Sequence, residues 1–313
     1  MCKKVTLLLG AGAAIPWNAA KTSEITEAMR NSQDHLISCE TLGNWINKIV
    51  TQDRTVSHLD VNFETYIDLI ETAHAFLLTT KTIHPNLKNS FYKFFDLKTE
   101  IKEGIDNLKW SNGSNFRSDS ISKVTATFYS LIRIIGNQII PYLDNYWKDD
   151  YQCLNEKLKE FCEYFLNTGY VVRAYTLNYD RSIPLVFESN SSGYEFFDGF
   201  DVSKVSHDKR HFFLLDKQRI LADTWCNSFY NLHGSFHWSF QDGEGDALPF
   251  TIMSTKKYRY CPANLLYEDE MKTSNPNERL LQAPIITGYK KTQRINLPPF
   301  NYFFHSFFND IFQ

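Results

Sequence analysis

The chain has 313 residues, of which 43% are hydrophobic and 15% aromatic, so it can form a core and is not an intrinsically disordered protein. Its formal net charge of -3 gives no electrostatic reason to expect binding to nucleic acid or to an anionic membrane. Its six cysteines include no Cys-x-x-Cys pair, which argues against a zinc ribbon and against a secreted disulfide scaffold. No apolar run approaches the roughly 20 residues of a membrane-spanning helix. We therefore predict a cytoplasmic protein of one large domain or two smaller ones.

A short strand and a turn of small residues open the chain. Residues 5–9 form an apolar run bounded by glycine, which is typical of a buried parallel strand. The turn Gly10-Ala11-Gly12-Ala13 would let a backbone approach a pyrophosphate closely. A tight turn with packing glycines is the structural alternative, because Ile15 stands where a Gly-x-Gly-x-x-Gly motif has its third glycine.

Helical patterns fill most of the next 150 residues or so. We predict a first helix at residues 25–29 with Thr22 or Ser23 as its N-cap, a second at 40–50, and an amphipathic third that Asn62-Phe63-Glu64 opens. Residues 121–143 predict a long helix that is kinked or ended near Pro141, and residues 154–166 predict another. This is more chain than a simple crossover between parallel strands needs. We therefore expect residues 31–150 to be a mainly helical subdomain inserted in an α/β sheet domain that spans residues 1–313.

A second buried strand ends in a polar cluster. Residues 171–177 are mostly β-branched or aromatic and follow a helix that stops at Gly169. The cluster Thr176-Leu177-Asn178-Tyr179-Asp180 then lies at the carboxyl end of the strand, where open parallel sheets bind ligands. An amide that both donates and accepts would suit ribose hydroxyls and a water molecule. On the residues alone we favour the structural alternative, a strand end followed by an Asx turn.

A third strand leads to a histidine. We predict strands at residues 193–200, 229–232 and 283–287, a helix entry at 182–188, loops through 241–280 and an aromatic helix at 299–312. His233 follows the strand at 229–232 and precedes Gly234, so it could face a cleft and act as a general base. A structural histidine is the alternative.

Metal binding and covalent catalysis are both disfavoured. His207 with His211, and His233 with His237, have the four-residue spacing that binds zinc on a helix. Gly234 argues against a helix there, so we predict no metal site. The chain has no Gly-x-Ser-x-Gly motif and no cysteine in a nucleophile context, which leaves water as the nucleophile.

Taken in order, Gly10-Ala11-Gly12, Thr176-Leu177-Asn178-Tyr179-Asp180 and Leu232-His233-Gly234-Ser235 resemble the motifs of the sirtuin-like family, in particular its bacterial branch of NAD-consuming antiphage effectors. Ile15-Pro16-Trp17 and Asn62-Phe63-Glu64 also look like that branch. The resemblance extends from residue 5 to about residue 310. It implies a Rossmann-like parallel sheet with an inserted helical module, and cleavage of the bond between nicotinamide and ribose in bound NAD.

The resemblance also implies roles for individual residues, with NAD as substrate and no metal. By position, Gly10, Ala11, Gly12 and Ala13 would cradle the pyrophosphate, Asn178 would hold the ribose or the attacking water, Asp180 would lie near the nicotinamide, and His233 would be the general base. Thr176, Gly234 and Ser235 would complete the NAD site. A cationic leaving group and an oxocarbenium-like transition state need positioning and water delivery more than a strong nucleophile.

Three departures from the family pattern qualify the expectation. Ala14 stands where many members have serine, and the zinc-ribbon cysteines of sirtuin deacylases are absent, which argues against deacylation. The family's closing strand and its Gly-Tyr-Ser-like turn are not found after residue 312, so we expect that segment to be absent or supplied from elsewhere. We predict an NAD+ glycohydrolase that acts in abortive infection, as a homo-oligomer or with a defence-system partner. The alternative is a non-catalytic NAD or ADP-ribose sensor, or a subunit of a defence complex.

Overall fold

A small parallel sheet with helices around it makes this a mixed α/β protein. The computed structural model describes residues 3–33, 35–37, 40–51, 61–82, 108–110, 120–189, 193–205, 213–236, 238–242, 250–254, 285–287, 291 and 295–312. Within these ranges, no helix combines the length and the apolar character that crossing a membrane requires.

The elements are numbered in chain order. The strands are β1 (Lys3–Leu9), β2 (His35–Ile37), β3 (Glu40–Thr41), β4 (Leu108–Trp110), β5 (Tyr170–Thr176), β6 (Phe200–Val205), β7 (Phe213–Leu215), β8 (Ser228–Asn231), β9 (Trp238–Asp242) and β10 (Phe250–Ser254). The helices are α1 (Thr22–Asn31), α2 (Leu42–Thr51), α3 (Phe63–Thr82), α4 (Ser120–Leu143), α5 (Gln152–Asn167), α6 (Ser182–Ser189), α7 (Lys217–Ala222) and α8 (Phe300–Phe312). Short 3-10 helices cover Ala11–Trp17, Asp144–Trp147 and Asp149–Tyr151.

The parallel sheet has the order β1-β5-β8, so the middle strand is the one that follows the long helical stretch. Alternate side chains of β5 point to opposite faces of the sheet, as in any strand, and pack into different hydrophobic cores. Val172 and Ala174 pack with α5 and α6 residues, whereas Tyr175 packs with α8. Burial on both faces explains why this strand is almost continuously apolar.

A buried arginine is the exception in β5. Arg173 is fully buried and its Nε donates to Asp310 Oδ2 of α8 at 2.7 Å, while its Nη2 donates to Ser306 Oγ at 2.7 Å. Tyr175 Oη also donates to Asp310. A buried charge needs such a partner, and this pair ties α8 to the sheet.

A helical layer packs on the turn that follows β1. Residues of α1, α3 and α4 share one core cluster with Trp17, whose ring stacks on Tyr146 with centroids 4.9 Å apart. The indole Nε1 donates to Asn155 Oδ1 at 2.7 Å, and Asn145 Nδ2 donates to the Trp17 carbonyl at 2.7 Å. These contacts hold the far end of the small-residue turn in place.

The described residues form two further sheets, one of which shares a hydrophobic core with β5, β8 and α8. One has the order β6-β7-β10-β9 and the other the order β3-β2-β4, and all their pairings are antiparallel. The strands β9 and β10 fall in or next to the stretch 241–280 that was predicted to be loop-rich, of which residues 243–249 and 255–280 lie outside the described ranges.

Several sequence-based boundaries are wrong. The predicted strand at 193–200 is reduced to an isolated bridge at Phe197, and a strand begins only at Phe200. The predicted strand at 283–287 is likewise a single bridge between Ile285 and Gly234, with residues 283–284 outside the described ranges. Lys21, not Thr22 or Ser23, is the N-cap of α1. The N-cap error falls at the end of an element, where side-chain caps decide the boundary, whereas the two strand errors concern segments that pair through one bridge each.

The second helix also needs correction, whereas the helix predicted at residues 121–143 is confirmed and ends near Pro141 as expected. The predicted helix at residues 40–50 begins at Leu42, because Glu40–Thr41 pairs with β2 as a strand. Pro141 lies inside α4, which ends at Leu143. The helices predicted at 154–166 and 299–312, and the strands at 5–9, 171–177 and 229–232, are confirmed with shifts of a few residues at their ends.

Candidate functional site

Three turns meet at the carboxyl edge of the parallel sheet. Leu9 is paired in register with Thr176, and Thr176 with Asn231, so the three strands end in one row. The Leu177 amide donates to the Leu9 carbonyl at 2.9 Å, and the Leu232 amide donates to the Thr176 carbonyl at 2.9 Å. The first turn is Gly10-Ala11-Gly12-Ala13, the second residues 177–181, and the third residues 233–235. The motifs that lie far apart in the sequence are therefore neighbours.

The glycine turn is open to its surroundings. Gly10 has φ -82 and ψ 176, an extended conformation that any residue adopts, and the Ala13 amide donates to the Gly10 carbonyl at 2.9 Å. A Cβ placed on Gly10 would meet no described atom within 4 Å, and one on Gly12 would touch only Ile15 Cδ1 at 3.9 Å. Neither packing nor backbone conformation requires glycine at these two positions. The open space in front of them is compatible with a ligand that approaches the backbone.

The second turn is held by Asn231, which the sequence did not identify as functional, and by Ser235, which it did. Asn231 Nδ2 donates to the Asn178 carbonyl at 3.0 Å and to the Asp180 carbonyl at 2.6 Å. Ser235 Oγ donates to the Tyr179 carbonyl at 3.0 Å. A buried amide with two acceptors fixes the path of the backbone. The sequence signal for this supporting role of Asn231 was its position at the end of a buried strand.

Two residues predicted to line the NAD site lie within this support. Thr176 and Ser235 are both fully buried, and Thr176 Oγ1 accepts a hydrogen bond from the Asn178 amide at 3.0 Å. The structure thus places their hydroxyl groups under the turn and not at an open surface. Both side chains shape the turn that carries Asn178.

Asn178, like Arg181 with its buried Nε, is a residue of this turn with an unused polar atom. Its Nδ2 is buried and has no hydrogen-bond partner among the described residues. Leaving a buried donor unsatisfied costs about 1–3 kcal/mol. An oxygen atom of a ligand would satisfy it, so the geometry fits the role of Asn178 in holding a hydroxyl group or a water molecule.

Asp180 lies beneath the turn and has protein partners. Its carboxylate is fully buried, and it accepts hydrogen bonds from Tyr142 Oη at 2.6 Å and from the Ser182 amide at 3.2 Å. Burial raises the pKa of Asp180, while the hydrogen bonds from Tyr142 and Ser182 lower it in part. The carboxylate is therefore engaged with α4 and not presented at the sheet edge, where the sequence-based expectation placed it.

His233 is half-buried in the third turn. The Ile286 amide donates to its carbonyl at 2.6 Å, and Gly234 follows with a φ of +90°, which favours glycine. The role of Gly234 is thus conformational: it lets the chain turn directly after the histidine. Burial lowers the pKa of His233, and the positive charge of Lys291 lowers it further, whereas Glu64 raises it. The imidazole is therefore neutral at pH 7.

A surface ion pair borders His233. Lys291 Nζ lies 2.7 Å from both carboxylate oxygens of Glu64. Glu64 is in the first turn of α3, where Asn62 Oδ1 accepts from its amide at 2.9 Å. The motif Asn62-Phe63-Glu64 is thereby brought from the helical layer to the candidate base. Lys291 was not identified from sequence, because its neighbours carry no periodic pattern.

The described residues contain no cluster of three His, Cys, Asp or Glu side chains that could hold a metal ion. His207, His211 and His237, which form the alternative zinc pairs, lie outside the described ranges.

Comparison with protein-family models yields no match, and comparison with curated proteins yields none either.

Proposed function

We propose that the chain is an NAD+ glycohydrolase that cleaves NAD to nicotinamide and ADP-ribose as an antiphage effector. The observation that carries the proposal is the meeting of the glycine turn, Asn178 and His233 at the carboxyl ends of three adjacent parallel strands. In this proposal the sheet belongs to a Rossmann-like domain, and residues 31–150 are its inserted helical module.

Each of the three turns has one role in binding or catalysis. The open backbone at Gly10, Ala11, Gly12 and Ala13 receives the pyrophosphate. The buried Nδ2 of Asn178 donates to a ribose hydroxyl or to the attacking water, which gives it the partner that it lacks in the protein alone. His233 accepts a proton, because its lowered pKa keeps the imidazole neutral at pH 7.

The reaction needs no covalent intermediate. Water attacks the ribose carbon that carries nicotinamide, and the glycosidic bond breaks with its electron pair on the nicotinamide nitrogen. The proton of the water goes to His233. Nicotinamide leaves as a neutral molecule from a cationic substrate, so the enzyme contributes mainly position and water delivery.

Asp180 has a different role here from the one its place in the motif suggested. Its carboxylate is buried and bonded to Tyr142 and Ser182, so it supports the turn without touching nicotinamide. The carboxylate near the candidate base is that of Glu64.

The test is nicotinamide release from NAD by the purified chain, followed by chromatography at several protein concentrations because assembly could activate it. We expect Asn178→Ala and His233→Ala each to reduce the rate at least 100-fold. His305→Ala is the matched control, since His305 is exposed on α8 and bonds to Asn309. Release that survives both site substitutions unchanged would show that the site is wrongly assigned.

One observation favours a second candidate, a non-catalytic NAD or ADP-ribose sensor. The only acidic residue of the three turns is Asp180, and its burial leaves these turns without a free carboxylate to stabilise an oxocarbenium ion. Calorimetric binding of ADP-ribose that Asn178→Ala weakens, with no nicotinamide release at any protein concentration, would select the sensor.

Participation in defence is tested in cells. Bacteria that express the wild-type chain with its natural partners should lose NAD after phage infection, and cells that express Asn178→Ala should keep it. Equal NAD levels in both strains would argue against the effector role.

A further inference from the structure

A buried hydrogen bond joins the helical layer to the turn that carries Asn178. Tyr142, in the last turn of α4, donates from Oη to Asp180 Oδ2 at 2.6 Å, and both side chains are buried. The other carboxylate oxygen accepts from the Ser182 amide at 3.2 Å. The carboxylate thus bridges α4 and the start of α6 directly behind Asn178.

The same turn is held from the opposite side through its carbonyl groups. Asn231 and Ser235, in and just after β8, donate to the carbonyls of Asn178, Tyr179 and Asp180. The β8 side therefore fixes the backbone, while the helical layer fixes the Asp180 side chain. A shift of α4 acts on the turn through Tyr142.

We propose that Tyr142 and Asp180 are positioning residues, through which the helical layer sets the place of Asn178 in the site. The inference rests on the proposed NADase function for its kinetic consequence, but the bond itself is independent of that function. A charge-assisted hydrogen bond is short and directional, so its loss leaves a buried carboxylate oxygen without a donor. The turn must then move towards water or the carboxyl group must take up a proton.

A nearby tyrosine provides a matched control. Tyr146 is also buried and close to Asp180 and Ser182, but its hydroxyl makes no hydrogen bond to Asp180. Its ring stacks on Trp17 at a centroid distance of 4.9 Å, and phenylalanine would keep that stack. Tyr142→Phe removes the hydrogen bond to Asp180, whereas Tyr146→Phe leaves that bond in place.

The first measurement is hydrogen exchange of the backbone amides of residues 178–182, which needs no substrate. We expect Tyr142→Phe to speed exchange of the Ser182 amide at least tenfold. The Asp180 carboxylate, which accepts the hydrogen bond from this amide, is then no longer held by α4. Tyr146→Phe should exchange like the wild type. Equal exchange in the two variants would overturn the inference whatever the protein does to NAD.

The second measurement separates positioning from general loss of structure. We expect Tyr142→Phe to lower kcat for nicotinamide release at least tenfold while KM changes less than twofold, because the pyrophosphate turn is untouched. Asp180→Asn, which keeps the shape of the side chain, should behave alike. The double variant should be no slower than the slower single variant, since both act through one bond.

The outcomes distinguish the two proposals. If the wild type releases no nicotinamide, the NADase proposal fails and the exchange rates still decide the role of Tyr142. If the wild type is active, and Tyr142→Phe and Asp180→Asn match Tyr146→Phe in kcat, the positioning role is refuted while the NADase proposal stands. Should Tyr142→Phe fail to unfold cooperatively, Asp180→Asn provides the same comparison.

Discussion

Replacing Gly10 with alanine tests whether the glycine turn binds a ligand or has only a structural role. A ligand site predicts weaker binding without loss of stability, whereas a structural role predicts loss of stability. The backbone of Gly10 is extended, and a Cβ there would meet no described atom within 4 Å. A glycine-to-alanine change at such a position stabilises a fold by about 0.4–1 kcal/mol, since it restricts the unfolded chain. That corresponds to a rise in Tm of roughly 0.6–1.5 °C for a chain of 313 residues.

Binding should change in the other direction. If the pyrophosphate lies against this backbone, the added methyl group occupies the space that the ligand needs. We expect the affinity for NAD or ADP-ribose to fall at least tenfold, which is about 1.4 kcal/mol. Thermal unfolding without ligand and calorimetry with ADP-ribose measure the two effects on the same preparation.

Gly193→Ala is the matched control. Gly193 is also exposed, and a Cβ there would also meet no described atom within 4 Å, but it lies outside the three turns. Equal ADP-ribose affinity in Gly10→Ala and Gly193→Ala would refute the assignment of the pyrophosphate to this turn. A clear loss of stability in Gly10→Ala would refute the claim that glycine is dispensable for the fold.

Three further predictions concern titration, reactivity and stability. Activity should fall as pH drops through a midpoint below 6.5, because burial and Lys291 lower the pKa of His233, and Lys291→Met should move that midpoint upwards in a pH–rate profile. Iodoacetamide at pH 8 should label the exposed Cys153 but not Cys162, whose pKa burial raises to about 12, as mass spectrometry can check. Arg173→Met should lower the free energy of unfolding by about 3–5 kcal/mol in urea titrations, since the buried Asp310 loses its 2.7 Å ion pair and keeps the hydrogen bond from Tyr175 and the 3.5 Å pair with Lys4; a loss below about 1 kcal/mol would contradict the pairing.

The strands at the site could be predicted because each is a short apolar run with a clear end. Residues 5–9 stop at Gly10, residues 171–177 stop at a polar cluster, and residues 229–232 stop at His233. The general rule that ligands bind at the carboxyl edge of parallel strands then placed the three motifs side by side. The register of Leu9, Thr176 and Asn231 agrees with that placement.

The side-chain partners could not be predicted in the same way. Tyr142 and Asp180 are 38 positions apart, Arg173 and Asp310 are 137 apart, and Glu64 and Lys291 are 227 apart. Local periodicity contains no information about such pairs. A single signal was present: an arginine in an otherwise apolar strand must have a buried partner, although the sequence does not say which.

In the polar cluster Thr176-Leu177-Asn178-Tyr179-Asp180, some residues support the turn and another has a polar atom available to a ligand. Thr176 accepts from the Asn178 amide, and Asp180 binds Tyr142 and the Ser182 amide, so both carry the geometry of the turn. Asn178 alone among these three has a buried polar atom without a partner. Residue type and spacing favour Asp180 as a catalytic carboxylate, whereas the structure buries it behind the turn in a hydrogen bond with Tyr142. Substitution of Asn178 therefore tests chemistry, whereas substitution of Asp180 tests how the helical layer shapes the site.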